Sequence, residues 1–176
     1  PEYLMYKLTG IKKHEYTNAS TSGMMDAVTN AYSYEIINSL NLNSKLFVNL
    51  DKPKSYVGKF LDEVALEVGG NMGVVLCATH DTASAVEGIP MNQNAPYISS
   101  GTWSLLGIKT EHAITLKQAM LSNYSNEYGP DYIRFQKNIM GLWIIQCLSK
   151  EMKLDFPEMV KMSMESNYLE LFDVNS

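Results

Sequence analysis

The feature that most restricts the fold is an apolar segment that runs directly into a set of polar, chemically active residues. Met72–Ala78 is continuously apolar, which predicts a central strand covered on both faces. Thr79–Thr82 (Thr-His-Asp-Thr) follows at once, and the small residues of Ala83–Gly88 predict a helix that ends before Pro90. Strands and helices alternate elsewhere in the chain as well, so the sequence predicts an α/β fold.

Asp81 is the candidate catalytic residue of this segment. A carboxylate between a buried strand and a helix lies where α/β folds place functional groups. The helix N-terminus favours the charged form, which can accept a proton from a substrate hydroxyl. However, Asp is also a good helix N-cap, and position alone favours that plain structural role. Position alone likewise makes His80 a structural histidine rather than a catalytic one.

A turn between two β-rich runs is the second candidate. Pro96–Ser100 and Thr102–Lys109 flank Gly101, which predicts a hairpin. Glycine lets a backbone approach an anion closely, and the Thr102 hydroxyl with exposed N–H groups can hold phosphate. An ordinary hairpin turn explains the same residues equally well.

Two amides flank the start of an amphipathic helix predicted at Gly141–Met152. Asn138 and Gln146 can bind sugar hydroxyls there, although solvated surface amides are more common. Asp62–Val68 fits either a helix or a strand. Other local signals predict helices at Glu2–Leu8 (ended by Gly10), Tyr34–Leu40 and Pro157–Ser166, strands at Tyr56–Leu61 and Tyr132–Asn138, loops at Lys12–Gly23 and Leu42–Lys54, and a polar connector at Met91–Ala95.

Composition excludes several classes of function. The net charge is −5 and Arg134 is the only arginine, whereas a nucleic-acid binder needs a basic face. No apolar stretch reaches the roughly 18 to 20 residues that span a bilayer, so we expect no membrane partner. Cys77 and Cys147 have no metal or disulfide spacing, and the three histidines are scattered, so we expect no protein metal site and a cytoplasmic location.

Five blocks of the sequence carry a resemblance to a known family. They are Pro1–Gly10, Glu15–Ser20, Thr79–Val86, Tyr97–Gly107 and Lys137–Gln146. In order and spacing they resemble the FGGY family of carbohydrate kinases, and within it the rhamnulokinases. The resemblance implies a fragment of the two-domain actin-like ATPase (ribonuclease H-like) fold, in which sugar and ATP meet in the cleft between the domains.

The resemblance also implies how the chain is divided. Residues 1–90 correspond to the C-terminal part of the N-terminal, sugar-binding domain, and residues 95–176 to the beginning of the C-terminal, ATP-binding domain. The family's N-terminal phosphate hairpin and its C-terminal adenosine motif have no counterpart in these residues. We therefore expect an internal fragment that is inactive alone, and whose exposed half-cleft self-associates.

The resemblance assigns each candidate a role in phosphoryl transfer from ATP to a sugar. Asp81 matches the catalytic base, and Mg²⁺ arrives with ATP rather than on a protein site. The other matched positions all contact one of the two substrates: His80, Thr82 and Asn138 the sugar, and Gly101, Thr102 and Gln146 the ATP. The expected sugar is rhamnulose or a similar deoxyketose. The alternatives are fuculose, xylulose or another polyol, or a non-catalytic sugar-binding relic.

Overall fold

A computed structural model describes residues 1–91 and 95–170, and short helices and strands alternate through both ranges. The helices are α1 (Glu2–Thr9), α2 (Tyr16–Ala19), α3 (Tyr34–Ser39), α4 (Asp62–Val68), α5 (Asp81–Gly88), α6 (Lys117–Leu121), α7 (Trp143–Met152) and α8 (Phe156–Glu165). The strands are β1 (Met25–Asp26), β2 (Ala31–Tyr32), β3 (Tyr56–Lys59), β4 (Gly73–Val75), β5 (Tyr97–Ser100), β6 (Trp103–Thr110), β7 (Tyr124–Tyr128) and β8 (Ile133–Met140). The α/β class is confirmed.

The largest sheet has four antiparallel strands in the order β5-β6-β8-β7. Its register places Gly107 opposite Gln136, and Glu127 opposite Arg134. A Cβ atom on Gly107 would lie 2.7 Å from the Tyr97 hydroxyl oxygen, so the absence of a side chain lets that tyrosine cross the sheet surface. The predicted hairpin at Gly101 is confirmed, with Ser100 paired to Ser104.

The strand predicted at Met72–Ala78 is shorter and more exposed than expected. β4 covers only Gly73–Val75 and, within the described chain, pairs with β3 in a two-stranded antiparallel sheet. Side chains alternate: Leu76 is 1% exposed, whereas Val75 is 58% exposed. The prediction of a central strand buried on both faces is therefore wrong, because only one face of this small sheet packs on the helix α1 side.

Most local predictions are confirmed, and one loop prediction is wrong. Helices α1, α3, α5, α7 and α8 and strands β3 and β8 lie where expected, and Asp62–Val68 is the helix α4. Lys12–Gly23 was expected to be a loop but contains α2 and a 3₁₀ turn at Ser20–Ser22. The Glu15 carboxylate caps α2 by accepting from two backbone N–H groups, which compensates for weak helix formers. Part of the predicted connector at Met91–Ala95 lies outside the described residues.

Aromatic contacts join the large sheet to the first 88 residues. Tyr128 stacks on Tyr16 with ring centroids 4.6 Å apart, and its hydroxyl donates to the Asp26 carbonyl at 2.9 Å. The Tyr132 hydroxyl donates to Glu87 at the end of α5, and burial together with this bond raises the pKa of Tyr132. None of the helices in the described ranges is long and apolar enough to cross a membrane.

Candidate active site

The N-terminus of α5 presents the predicted base to solvent. His80 is the N-cap residue, and its Nδ1 accepts the Thr82 N–H at 3.1 Å. Asp81 opens the helix, and its Oδ1 accepts the same N–H at 2.6 Å. The Asp81 side chain is 98% exposed, so one face of the carboxylate stays available to a ligand. His80 occupies the N-cap position and Asp81 is the first residue of the helix, although the Asp81 carboxylate also bonds a backbone N–H of the first turn.

The opposite edge of the His80 ring faces a buried ion pair. In the neutral imidazole the proton lies on Nε2, because Nδ1 accepts a hydrogen bond. Nε2 lies 3.5 Å from Glu127 Oε2, and that oxygen accepts from Arg134 Nη2 at 3.0 Å. The Arg134 side chain is completely buried, so its charge is compensated by Glu127 in β7 rather than by solvent.

Further polar groups of the sheet extend this ion pair. Gln136 Oε1 accepts the Tyr97 hydroxyl at 2.8 Å and lies 3.4 Å from Arg134 Nη1. Burial raises the pKa of Tyr97 to about 12, so the hydroxyl keeps the proton that it donates. Arg134 Nε and Gln136 Nε2 are buried without a hydrogen-bond partner among the described residues. The His80 side of the candidate site thus borders a group of charged and polar side chains of the sheet.

A fully buried carboxylate holds the backbone that leads to Asp81. The Glu15 side chain is fully buried, and its Oε2 accepts the Thr79 N–H at 3.0 Å and the Thr79 hydroxyl at 2.8 Å. The same oxygen accepts the Thr17 hydroxyl at 2.6 Å. We call Glu15, Thr79, His80, Glu127 and Arg134 the junction cluster, because it joins three separate segments of the chain.

The Gly101–Thr102 turn is bonded to the start of α7. The Gly101 carbonyl accepts the Leu142 N–H at 2.9 Å, and the Thr102 carbonyl accepts the Trp143 N–H at 3.2 Å. A Cβ atom on Gly141 would lie 2.5 Å from the Gly101 carbonyl, so only glycine permits this approach. Thr102 is exposed.

The two predicted amides lie near the same end of the sheet. Asn138 is exposed in β8 opposite Leu105, two residues before the end of the strand. Gln146 lies in α7 and lines an apolar groove of about 600 Å³ between α7 and α8, together with Ile145 and Phe156. Within residues 1–91 and 95–170, no three His, Cys, Asp or Glu side chains are grouped as a metal site would require.

The structure therefore arranges the predicted residues in two groups. His80, Asp81 and Thr82 lie together at the start of α5, and the remaining candidates lie where β6 and β8 meet α7. Sequence reasoning missed Glu15, Glu127 and Arg134 as supporting residues. The one available signal was Arg134 itself, the only arginine in a chain with excess acidic residues. Arginine is the residue best suited to a buried ion pair, so an acidic partner could have been sought.

Comparison with solved structures defines the fold. The chain superposes on the ligand-bound xylulose kinase from Lactobacillus acidophilus with a TM-score of 0.77, at 13% identity over 94% of this chain and 34% of that one. It superposes on Plasmodium falciparum glycerol kinase with ADP with a TM-score of 0.73, at 16% identity over 93% of this chain and 34% of that one. The fold is that of sugar and polyol kinases.

Sequence comparison then identifies the family. The profile of the FGGY family of carbohydrate kinases, N-terminal domain, matches residues 1–88. The chain is 40% identical to a rhamnulokinase of Oceanobacillus iheyensis and 39% identical to one of Halalkalibacterium halodurans, over 99% of its own length in both cases. The chain belongs to the FGGY family. It spans about 38% of the length of these relatives.

Proposed function

We propose that this chain is part of an ATP-dependent kinase that phosphorylates rhamnulose or a similar deoxyketose. The observation that carries the proposal is the exposed carboxylate of Asp81 at the N-terminus of α5, in a member of the FGGY family. The two relatives named rhamnulokinase support the choice of sugar. Phosphoryl transfer depends mainly on positioning and charge stabilisation, so one carboxylate with dispersed hydroxyls and amides is chemically sufficient.

In the proposed reaction, Asp81 takes a proton from the sugar hydroxyl. The hydroxyl oxygen forms a bond to the γ-phosphorus, and the bond from that phosphorus to the bridging oxygen breaks. ADP leaves with the electron pair of the broken bond. The proton on Asp81 passes to water afterwards, which agrees with the 98% exposure of the side chain.

The remaining residues divide between the two substrates. On the sugar side we propose His80, Thr82 and Asn138, whose polar groups are half-buried or exposed. On the ATP side we propose Gly101, Thr102 and Gln146, beside the start of α7. We also propose that residues 1–90 belong to a sugar-binding domain and residues 95–176 to the beginning of an ATP-binding domain. The family match over residues 1–88 supports the first boundary.

Magnesium belongs to this proposal only as a companion of ATP. The described residues hold no cluster of acidic or imidazole groups that fits a metal ion, so we assign no step to a protein-held Mg²⁺. Both cysteines are free, which supports a reducing compartment such as the cytoplasm, where ATP is also available.

Replacing the base is the decisive experiment, in the full-length protein that contains these residues. We expect Asp81→Asn to lower kcat at least about 100-fold while sugar binding changes little, because only the proton acceptor is lost. Asp62→Asn is the matched control, since Asp62 is an exposed acid that opens α4 as Asp81 opens α5. If both variants keep kcat within a few-fold of wild type, Asp81 only begins a helix.

The same assay distinguishes the alternative functions. With MgATP, rhamnulose should give the highest kcat/KM among rhamnulose, fuculose and xylulose. A preference for fuculose or xylulose would keep the kinase and change its sugar. Sugar binding by calorimetry without any turnover in the wild-type protein would favour the non-catalytic relic.

The nucleotide side is tested by Thr102→Val, which removes a hydroxyl and keeps the branched shape. We expect a loss of about 1–3 kcal/mol in transition-state stabilisation, seen as weaker nucleotide affinity and lower kcat. A change in sugar affinity alone would assign Thr102 to the other substrate. For the 176-residue chain by itself we expect no turnover, and MgATP binding no tighter than about millimolar.

A further inference from the structure

The Glu15–Ser20 segment carries part of the family resemblance, but the reaction outlined above gives it no role. Glu15 precedes α2 and lies far in sequence from Asp81. Its carboxylate is nevertheless fully buried and accepts five hydrogen bonds. Three of them come from Thr17 and Asn18, next to it in the chain. The other two come from Thr79, 64 residues away.

The long-range pair of bonds fixes the backbone immediately before the candidate base. Thr79 offers Glu15 both its N–H and its hydroxyl, so the carboxylate holds the position and the side-chain rotamer of this residue together. Thr17 links the next residue, His80, to Glu15. The Thr17 hydroxyl donates to Glu15 at 2.6 Å and lies 3.5 Å from the His80 backbone nitrogen. Two successive residues are thereby tied to the segment around α2.

We propose that Glu15 is a positioning residue for Asp81 and acts through Thr79. Asp81 itself is 98% exposed, so packing on its side chain does not fix where its carboxylate lies. Its position depends on the backbone from Thr79 onward. A base must reach the sugar hydroxyl with an error well below 1 Å, and charge-assisted hydrogen bonds to a buried carboxylate are strong enough to provide this. The inference rests on the proposed function of Asp81.

The experiment compares two substitutions of Thr79 in the full-length protein. Thr79→Val removes the hydroxyl bond to Glu15 and keeps the shape, whereas Thr79→Ser keeps the bond. We expect Thr79→Val to lower kcat about 10-fold with the sugar KM within threefold of wild type, and Thr79→Ser to restore kcat to within twofold. Equal kcat values for the two variants would overturn the proposal.

Thr9→Val is the matched control for a purely structural effect. Thr9 is buried, whereas Thr79 is partly buried, and the Thr9 hydroxyl donates to the Met5 carbonyl at 2.9 Å, inside α1. This variant should lower the melting temperature about as much as Thr79→Val but leave kcat within twofold of wild type. A similar fall in kcat in both variants would mean that kcat follows stability alone, which also overturns the proposal.

Hydrogen exchange separates this inference from the proposed function. In Thr79→Val, we expect the backbone amides from Thr79 to Ser84 to exchange at least fivefold faster, with α8 unchanged; Thr9→Val should leave them unchanged. This result would support the positioning role even if the wild-type protein phosphorylated none of the sugars tested. Unchanged exchange in Thr79→Val would overturn the role of Glu15 whatever the activity. Glu15→Gln provides a second variant, because its amide nitrogen cannot accept the bonds of the oxygen that it replaces.

Discussion

In the junction cluster, buried polar groups bond residues that are far apart in sequence, whereas helix α8 carries exposed apolar side chains and local bonds. Glu15 and Arg134 are both completely buried. In contrast, Phe156 is 52% and Val160 60% exposed, and α8 begins with a local cap in which Asp155 accepts the Glu158 N–H at 2.9 Å. The contrast teaches that the junction cluster depends on particular polar pairs between distant segments, whereas the hydrogen bonds of α8 are local.

The largest expected effect is a difference in stability between removing a cation from the junction cluster and removing one from α8. Arg134→Leu should lower the free energy of unfolding by about 3 kcal/mol, because it leaves Glu127 without its buried partner. Lys161→Leu removes an exposed cation that lies 4.0 Å from Glu165 on α8. This variant should change the free energy of unfolding by less than about 0.5 kcal/mol. Urea unfolding followed by circular dichroism measures both. Equal losses would remove the distinction between the two regions.

A smaller effect is expected from crowding the sheet beside the junction cluster. In Gly107→Ala, the added methyl group would lie 2.7 Å from both Gln136 Cβ and the Tyr97 hydroxyl oxygen. Overpacking of this kind costs about 1–3 kcal/mol, which a fall in melting temperature would report. Gly70→Ala is the control, since nothing lies within 4 Å of its added carbon. A harmless Gly107→Ala would show that Tyr97 can move aside.

The next expected effect is a loss of folding stability at alkaline pH. Burial raises the pKa of Tyr97 and Tyr128 to about 12, whereas tyrosine in an unfolded chain ionises near pH 10. Their contribution to stability is complete below about pH 10 and is lost as the pH rises toward 12. In Tyr97→Phe the free energy of unfolding, measured by urea titration at each pH, should fall less steeply between about pH 10 and 12. The exposed control Tyr3→Phe should leave this slope unchanged. An unchanged slope in Tyr97→Phe would place the alkaline sensitivity elsewhere.

The smallest effect is expected on the outer helices. Val160→Ala should change the free energy of unfolding by less than about 0.5 kcal/mol, because the side chain is 60% exposed. Val86→Ala removes the same two methyl groups from a fully buried position in α5, and should cost about 1–2 kcal/mol. A large loss in Val160→Ala would mean that the outer face of α8 is packed in the folded protein.

The sequence by itself determined the elements that depend on local signals. Gly10 ends α1 with φ of 70°, Pro157 lies in the first turn of α8, and Gly101 separates the two strands of the hairpin, as expected. The residues around His80 and Asp81 were also proposed as a candidate site from the sequence, because the motif is contiguous. Their assigned roles remain predictions.

Only the tertiary structure decided which distant residues support that site. β7 was not predicted, so the pairing of Glu127 with Arg134 across the sheet could not be foreseen. The wrong prediction of a loop before Gly23 has the same cause. Glu15 turns this polar segment into a helix, and also reaches Thr79. A buried carboxylate is stable only where several donors converge on it, and that convergence is a property of the folded chain rather than of any local stretch of sequence.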